Sequence, residues 1–473
     1  MKSTNRSPLA VATLGFRRTA NLAVFAALVL GLARSSEAQP VGSLAQLPRP
    51  DSCTQLGGDG INCRDGVGLD GASDVTISPD GKSVYVAALF SNAVAVFARD
   101  AGSGALTQLA PPNGCVAQAG DGVTCQEGIG LVGVSAVAVS PDNAHVYVAA
   151  YASGLAVFAR DPVTGALQQL PAPDGCLSVS GGGASDCADI YGPGTPTRVL
   201  VSPDGEFVYT AAVNGSTIAA FARDKATGKL TQLPAPEGCL SMTGDGVTCK
   251  AALALEGATS LSISKNGKHL YVASYYSDAV AIFQRNQMTG ALTQLAAPNG
   301  CVADDGDGVT CTAAPGLDGA SAVLVGKNGK HAYVASRESN TLAIFERNSA
   351  TGVLTQLPAP EGCHAQAGDG ITCTAAVAID GPHGLTQSNN GRHIYVASID
   401  SGGVAAFRRD KTTGALEQLY YPNACTTATG DNVLCRPGLA VSNARAVAVT
   451  KNGKHLYLAS YSADGVAAFT RKR

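Results

Sequence analysis

The chain has 473 residues, 45% hydrophobic but only 5% aromatic, with 56 glycines and no tryptophan, a composition of small apolar residues rather than of a few large anchors. Its 33 basic and 36 acidic side chains leave a formal net charge of −3, and a mildly acidic chain is a poor match to a phosphate backbone. Nucleic acid is therefore not an expected partner.

At the N-terminus, Arg17 and Arg18 precede a 12-residue apolar run from Leu22 to Ala33, followed by Ser36-Glu37-Ala38. Charge, short apolar core and small residues in that order read as a cleavable signal peptide over residues 1–38. The run is too short to span a bilayer, and no later segment is continuously apolar, so no membrane span is expected in the mature chain. A secreted or periplasmic destination follows. Removing residues 1–38 takes away Lys2, Arg6, Arg17, Arg18, Arg34 and Glu37, leaving 28 basic and 35 acidic residues, a net charge of −7.

The dominant feature of residues 39–473 is a repeat. Its tyrosine returns as Tyr85, Tyr147, Tyr209, Tyr271, Tyr333, Tyr395 and Tyr457, every step being 62 residues. Seven such repeats account for all but one of the 435 mature residues, so a single domain is expected. Within the first repeat, residues 74–78 (DVTIS) end at the turn Pro79-Asp80-Gly81. Residues 83–88 (SVYVAA) and 93–99 (AVAVFAR) are rich in strand formers, and Ser103-Gly104 turns the chain into residues 105–109 (ALTQL). Four short strands repeated seven times predict an all-β, seven-bladed β-propeller. The mature chain begins with residues 42–47 (GSLAQL), matching a fourth strand, and ends with residues 465–471 (GVAAFTR), matching a third. The N-terminal strand should thus complete the last blade and close the ring. Tyr85 and Ala87 should face one neighbouring blade, Val84 and Val86 the other.

All 14 cysteines fall between the fourth strand of one blade and the first of the next. The pairs Cys53/Cys63, Cys115/Cys125, Cys176/Cys187, Cys239/Cys249, Cys301/Cys311, Cys363/Cys373 and Cys425/Cys435 have nine residues between them in six cases and ten in one. An even count, one pair per repeat and an exported chain predict seven local disulfides rather than metal sites, for which CxxC spacing is missing. These loops are expected to crowd one face around the channel mouth. The GDG steps inside them, such as Gly58-Asp59-Gly60, read as turns; the ligand spacing and closing glutamate of a calcium loop are missing. No metal and no cofactor are implied.

In a repeat protein, a residue present in every blade points to structure, and one that breaks the pattern points to function. Arg99, Arg160, Arg223, Arg285, Arg347, Arg409 and Arg471 recur at the end of every third strand and are read as structural. His145, His269, His331, His393 and His455 share one position after the first hairpin and are expected on the surface. His383 breaks the pattern, because its equivalents are Ser73, Ser135, Thr197, Thr259, Ser321 and Arg445. It begins the innermost strand, beside Arg445 in the next blade. Arg198, in the atypical run Tyr191 to Arg198, also departs from its counterparts. A histidine to move a proton and arginines to hold a carboxylate form a candidate catalytic set, to be weighed against simple loop variation. On the loops after the second strands, Phe90, Tyr151, Tyr275, Tyr276 and Tyr461 vary between blades. Exposed aromatics there could stack on sugars or anchor a protein. They could equally pack beneath the cysteine loops.

The repeated SPDGKxxYVA…VAVFxRDxxTGALTQL resembles the seven-bladed lactonase-like, YVTN-type propellers. That resemblance covers the whole mature chain and implies either 6-phosphogluconolactonase or carboxymuconate-lactonising activity, or a non-catalytic exported propeller. Gly381-Pro382-His383-Gly384 is similar to the PH step before an inner strand of enzymatic members, which implies a catalytic role for His383. The first expectation is an exported protein that binds a glycan, peptide or protein through its cysteine-loop face. The alternative is a metal-independent lactone hydrolase or cycloisomerase acting on a small lactone at the channel mouth. The sequence leaves the oligomeric state open.

Overall fold

A computed structural model describes residues 39–179, 186–192, 194 and 196–473; the expected leader lies outside them. Residues Pro40–Arg473 form one compact unit. Its described residues hold strands and turns and no helix, arranged as seven sheets, one per repeat.

The first blade shows the plan. Ala72–Ile77, Ser83–Ala88 and Ala93–Arg99 form an antiparallel meander. The fourth position differs from the single strand expected there. Leu106–Gln108 pairs with the end of Ala93–Arg99, and Cys115–Ala117 pairs with its beginning. Pro111 and Pro112 stand between the two pieces, and neither has the N–H a continuous ladder needs. Gln126–Glu127 then adds a short parallel edge strand. The first strands of successive blades contact one another all the way round, so they line the central channel. The face carrying the loops between second and third strands is the upper face; the hairpins between first and second strands lie on the lower face.

Both sides of each blade are buried, as a ring requires. Every residue of Ser83–Ala88 is buried. Tyr85 and Ala87 pack with Val134, Val137 and Val148 of the second blade, while Val84 and Val86 pack with Tyr457 and Ala459 of the seventh. The ring closes through its ends: Leu44–Gln46 pairs with Gly465–Arg471, in the register Leu44 to Arg471, and Cys53–Leu56 pairs with the other half of that strand.

The recurring arginines stitch neighbouring blades together. Arg99 donates through Nε to the Tyr457 hydroxyl at 2.8 Å, and through Nη1 to the Gly81 carbonyl of its own hairpin at 2.7 Å. The same arginine-to-tyrosine bond recurs at all seven interfaces. The five histidines expected on the surface are instead buried, being only 2–4% exposed. Nδ1 of each lies 2.6–2.8 Å from Nη2 of the next blade's arginine, from which it can only accept. The imidazole must therefore stay neutral, and burial beside the guanidinium pushes His269, His393 and His455 down to about 4. The repeated turn glycine belongs to the same device. Gly104 has φ +85°, its carbonyl accepts from Tyr457, and a Cβ there would lie 2.3 Å from the His455 ring.

Seven disulfides form in the expected pairs: Cys53–Cys63, Cys115–Cys125, Cys176–Cys187, Cys239–Cys249, Cys301–Cys311, Cys363–Cys373 and Cys425–Cys435, with Cα atoms 4.7–4.8 Å apart. Seven disulfides belong with an oxidising compartment, extracellular or periplasmic. Their position, however, corrects the expectation that they crowd the channel mouth. The first cysteine of each pair opens the half-strand that lies outside the third strand, as Cys115 does. The second, Cys63, Cys125, Cys187, Cys249, Cys311, Cys373 or Cys435, immediately precedes the short parallel strand that is the outermost of its sheet. The disulfides therefore clip the outer edge of each blade, holding two strands too short to stay paired on backbone bonds alone, and none of these cysteines reaches the inner strands. Asp59, Asp121, Asp245, Asp307 and Asp369 cap the loop turns, each accepting backbone N–H groups two, three and four residues on. Those bonds hold all five carboxyls at about 2.

Candidate functional site

Each inner strand enters from the upper face through a bulge, except in the third blade, where the strand starts later, at Arg198. The residue at the bulge is Ser73, Ser135, Thr259, Ser321, His383 or Arg445 in the other six blades. A bulge re-aims one side chain out of the ladder. In four blades that side chain is a hydroxyl, donating to a carbonyl in or just before the next blade's inner strand: Ser73 to Ser135, Ser135 to Thr197, Thr259 to Ala320 and Ser321 to Pro382. His383 makes the corresponding bond with an imidazole. Its Nδ1 lies 2.9 Å from the carbonyl oxygen of Arg445, which can only accept. Nδ1 therefore carries the proton, and Nε2 is left with a lone pair.

The sequence-predicted cations gather around this imidazole. Burial comes first among the causes that push His383 down to about 3, followed by the positive charges of Arg198, Arg445 and Arg337, with the Arg445 carbonyl opposing. Arg445 lays its guanidinium 3.5 Å from the Tyr461 ring centroid and donates through Nε to Asn443 Oδ1 at 3.3 Å. Arg198 donates to the backbone carbonyls of Thr197 and Ser135, at 3.1 and 3.4 Å. Burial lowers both guanidinium pKa values, opposed at Arg198 by Asp74 and at Arg445 by Tyr461.

Two members of this constellation escaped the sequence reading. Asp74 follows the bulge of the first blade, where its equivalents are Ala136, Arg198, Ser260, Ala322, Gly384 and Ala446. Its carboxylate accepts the N–H groups of Val75 and Val137 at 2.9 and 3.0 Å; burial raises its pKa and Arg198 opposes that. Arg337 is the sole charge among Leu89, Tyr151, Val213, Tyr275, Arg337, Ile399 and Tyr461, the first loop residues after the second strands. The repeat filter that singled out His383 finds both when moved to these positions.

The five aromatics divide. The rings of Phe90 and Tyr461 meet in a tilted contact, 5.3 Å between centroids and 54° between planes, which joins Phe90 to Arg445 through the Tyr461 ring. Tyr275 and Tyr276 meet edge to face at 5.2 Å, and the Tyr275 hydroxyl donates to Glu338. Burial together with that carboxylate pushes Tyr275 up to about 12. Tyr151 packs over Gly133, whose absent side chain leaves the space it fills. Among the described residues no group of His, Cys, Asp or Glu is gathered to hold a metal ion. A cavity of about 870 Å3 lies elsewhere, beside Val41, Arg392 and Tyr420. It carries no part of the arginine and histidine set, and the symmetry-breaking side chains mark the channel mouth as the better candidate.

Residues 305–429 match the family described as Lactonase, 7-bladed beta-propeller, and that stretch contains His383 but neither Arg198 nor Arg445. No curated protein sequence matches the chain. Among solved structures, the periplasmic gluconolactonase of Pseudomonas aeruginosa is similar at 19% identity and TM-score 0.50, over 73% of this chain and 83% of that one. A candidate 6-phosphogluconolactonase of Bacteroides fragilis is similar at 22% identity and TM-score 0.51, over 73% and 82%. One from Bacteroides uniformis reaches TM-score 0.53 at 18% identity, over 80% and 88%. At these identities the likeness is one of fold. With the blade architecture, it shows that the chain is a seven-bladed β-propeller, within which residues 305–429 are similar to the lactonase family.

Proposed function

We propose that the protein is a metal-independent lactone hydrolase acting at the upper mouth of the channel. The observation that carries this reading is the His383 imidazole, held with Nδ1 protonated by the Arg445 carbonyl and Nε2 free to accept a proton. In this reading Nε2 takes a proton from water as the oxygen attacks the lactone carbonyl. The ring C–O bond then breaks, and the alkoxide recovers the proton from His383, giving an open hydroxy acid.

The arginines give the reading its substrate class. Burial first, and then three guanidiniums, hold His383 far below a useful basicity in the free protein. A lactone bearing a carboxylate or another anionic group would offset those charges, raising the histidine pKa as it binds. The same charges would stabilise the oxyanion of the tetrahedral intermediate. The base is thus strengthened by the substrate that needs it. Export through a leader over residues 1–38 belongs to this reading.

A second reading is binding without turnover, of a glycan, peptide or protein, on the aromatics of the upper face. The exposure of Phe90 and Tyr276, 60% and 61%, favours it. A hydrolysis screen of sugar, aromatic and acyl lactones, with and without a carboxylate, separates the two. Turnover abolished by His383→Ala supports the hydrolase; full turnover in that variant removes the mechanism.

A further inference from the structure

The lower face breaks the sevenfold repeat in charge, and nothing in the upper-face chemistry uses it. In the first three blades the hairpins between first and second strands carry Asp80, Asp142, Asp204 and Glu206 against the single cation Lys82. In the last four blades the equivalent turns are Lys265-Asn266-Gly267-Lys268, Lys327-Asn328-Gly329-Lys330, Asn389-Asn390-Gly391-Arg392 and Lys451-Asn452-Gly453-Lys454. Those four turns hold seven cations and no carboxylate, in a chain that is acidic overall.

The buried arginines follow the same division. Arg160, Arg223 and Arg285 each meet a hairpin aspartate, Asp80, Asp142 and Asp204, at 2.8–3.2 Å. Among the described residues Arg99, Arg347, Arg409 and Arg471 have no such ion pair, because asparagine replaces the aspartate in the preceding blade. These four guanidiniums therefore lack a hairpin carboxylate behind the lysine turns, though Asp100 and Asp410 lie close enough to Arg99 and Arg409 to feel their charge.

The arc encloses a cavity of about 700 Å3 at the lower ends of the fourth and fifth inner strands. Lys265, Lys327, Lys330, Lys411 and Arg409 line it, with the amides of Asn328, Asn389 and Asn390 and a floor of Ile263 and Val325. No carboxylate lines it. Lys327 is held over it, its backbone N–H donating to Gln387 Oε1 at 2.7 Å and its Nζ to Asn389 Oδ1 at 3.2 Å. Converging ammonium groups and amide donors, with no competing acid, are the chemistry that receives clustered oxyanions.

We propose that this lower cavity is a binding site for a small polyanion, a body carrying several phosphate or carboxylate groups, separate from the histidine site. The cavity has the size of a small-molecule site, and its lining offers four lysines and an arginine with no carboxylate among them, a match to several anionic groups at once. The seven cations of the four turns, with no hairpin carboxylate among them, give that arc an excess of positive charge that draws the ligand in.

The test is isothermal titration calorimetry of the mature protein with tripolyphosphate and, separately, with citrate. Saturable binding at one site per chain is expected for at least one of the two, and the stronger one names the oxyanion. Lys265→Gln, Lys327→Gln and Lys330→Gln combined should weaken it by about tenfold or more, whereas Lys82→Gln in the acidic half should leave it unchanged. These are surface positions in turns, and an unchanged melting temperature checks that the fold survives. No saturable binding of either probe overturns the proposal. So does equal weakening by Lys82→Gln, which would mean a diffuse surface charge effect. Loss of lactone turnover in His383→Ala bears on the upper site alone, so the two proposals fail independently.

Discussion

His383 Nδ1 donates to the backbone carbonyl of Arg445 across the interface between the sixth and seventh blades, at 2.9 Å, where four other blades use a serine or threonine hydroxyl. The bond is structural in kind, and only the second ring nitrogen is additional to the pattern. His383→Ser should therefore keep the blade contact and the melting temperature while losing turnover by about 10²–10⁴-fold, the usual contribution of a general base. Comparing kcat/KM and thermal unfolding of His383→Ser and His383→Ala checks this. Turnover retained in the serine variant would contradict the role.

Arg445 and Arg198 act on the same imidazole through charge. Replacing either with glutamine should raise the His383 pKa, since the field that lowers it is reduced. For a carboxylate-bearing lactone KM should rise by about 10- to 100-fold, the range of a lost charge-assisted hydrogen bond, with less change for a neutral lactone. Histidine titration by NMR, together with KM for matched acidic and neutral substrates, reads both effects.

The arginine stitch is expected to be costly to break. Arg223 donates to Tyr147 and Gly205, meets His145 Nδ1 and pairs with Asp142. Arg223→Ala leaves Tyr147, Gly205 and His145 buried without that donor, while Asp142 is exposed to water, and should destabilise the domain by about 3–5 kcal/mol as the sum of these lost bonds. Tyr147→Phe removes only the hydroxyl and should cost about 1–3 kcal/mol. Urea unfolding of both variants tests the ranking.

Acid sensitivity follows from the buried histidines. His269, His393 and His455 lie at about 4 when folded, against an ordinary 6.5, so the unfolded chain binds more protons between those values. Their contribution to stability is complete above pH 6.5 and is lost as the pH falls toward 4. Asp80 and Asp142, held at about 2, lose theirs only below their ordinary 3.8. Thermal unfolding at pH 7.5 and 5 should show the first loss, and His269→Phe, which copies the Phe207 found at the same position of the third blade, should reduce it.

The disulfides clip the outer edge of each blade, away from the inner strands that carry His383. Cys301→Ser with Cys311→Ser should lower stability by about 2–3 kcal/mol on the loop-entropy account and leave turnover in place. Thermal unfolding and lactone hydrolysis of the double variant test both halves.

The 62-residue period determined the architecture by itself, because a strict repeat of strand and turn signals admits few closed packings and the matching ends of the chain chose the ring. The same period isolated His383, Arg445 and Arg198 as departures from symmetry. What it could not supply was the radial order of the strands. Cys115 and Cys125 look like loop residues in the sequence, and only the pairing of Cys115–Ala117 with Ala93–Arg99 puts them on the rim. His145 and its equivalents follow a polar turn and read as exposed, yet the arginine that buries them comes from the next blade, 78 residues later. Asp74, Arg198, Arg337 and His383 lie in four different blades and become one electrostatic site only when the ring brings their inner ends together. Local strand chemistry is written in neighbouring residues; the charge around a central channel is a sum over the whole ring, and only the closed tertiary structure performs it.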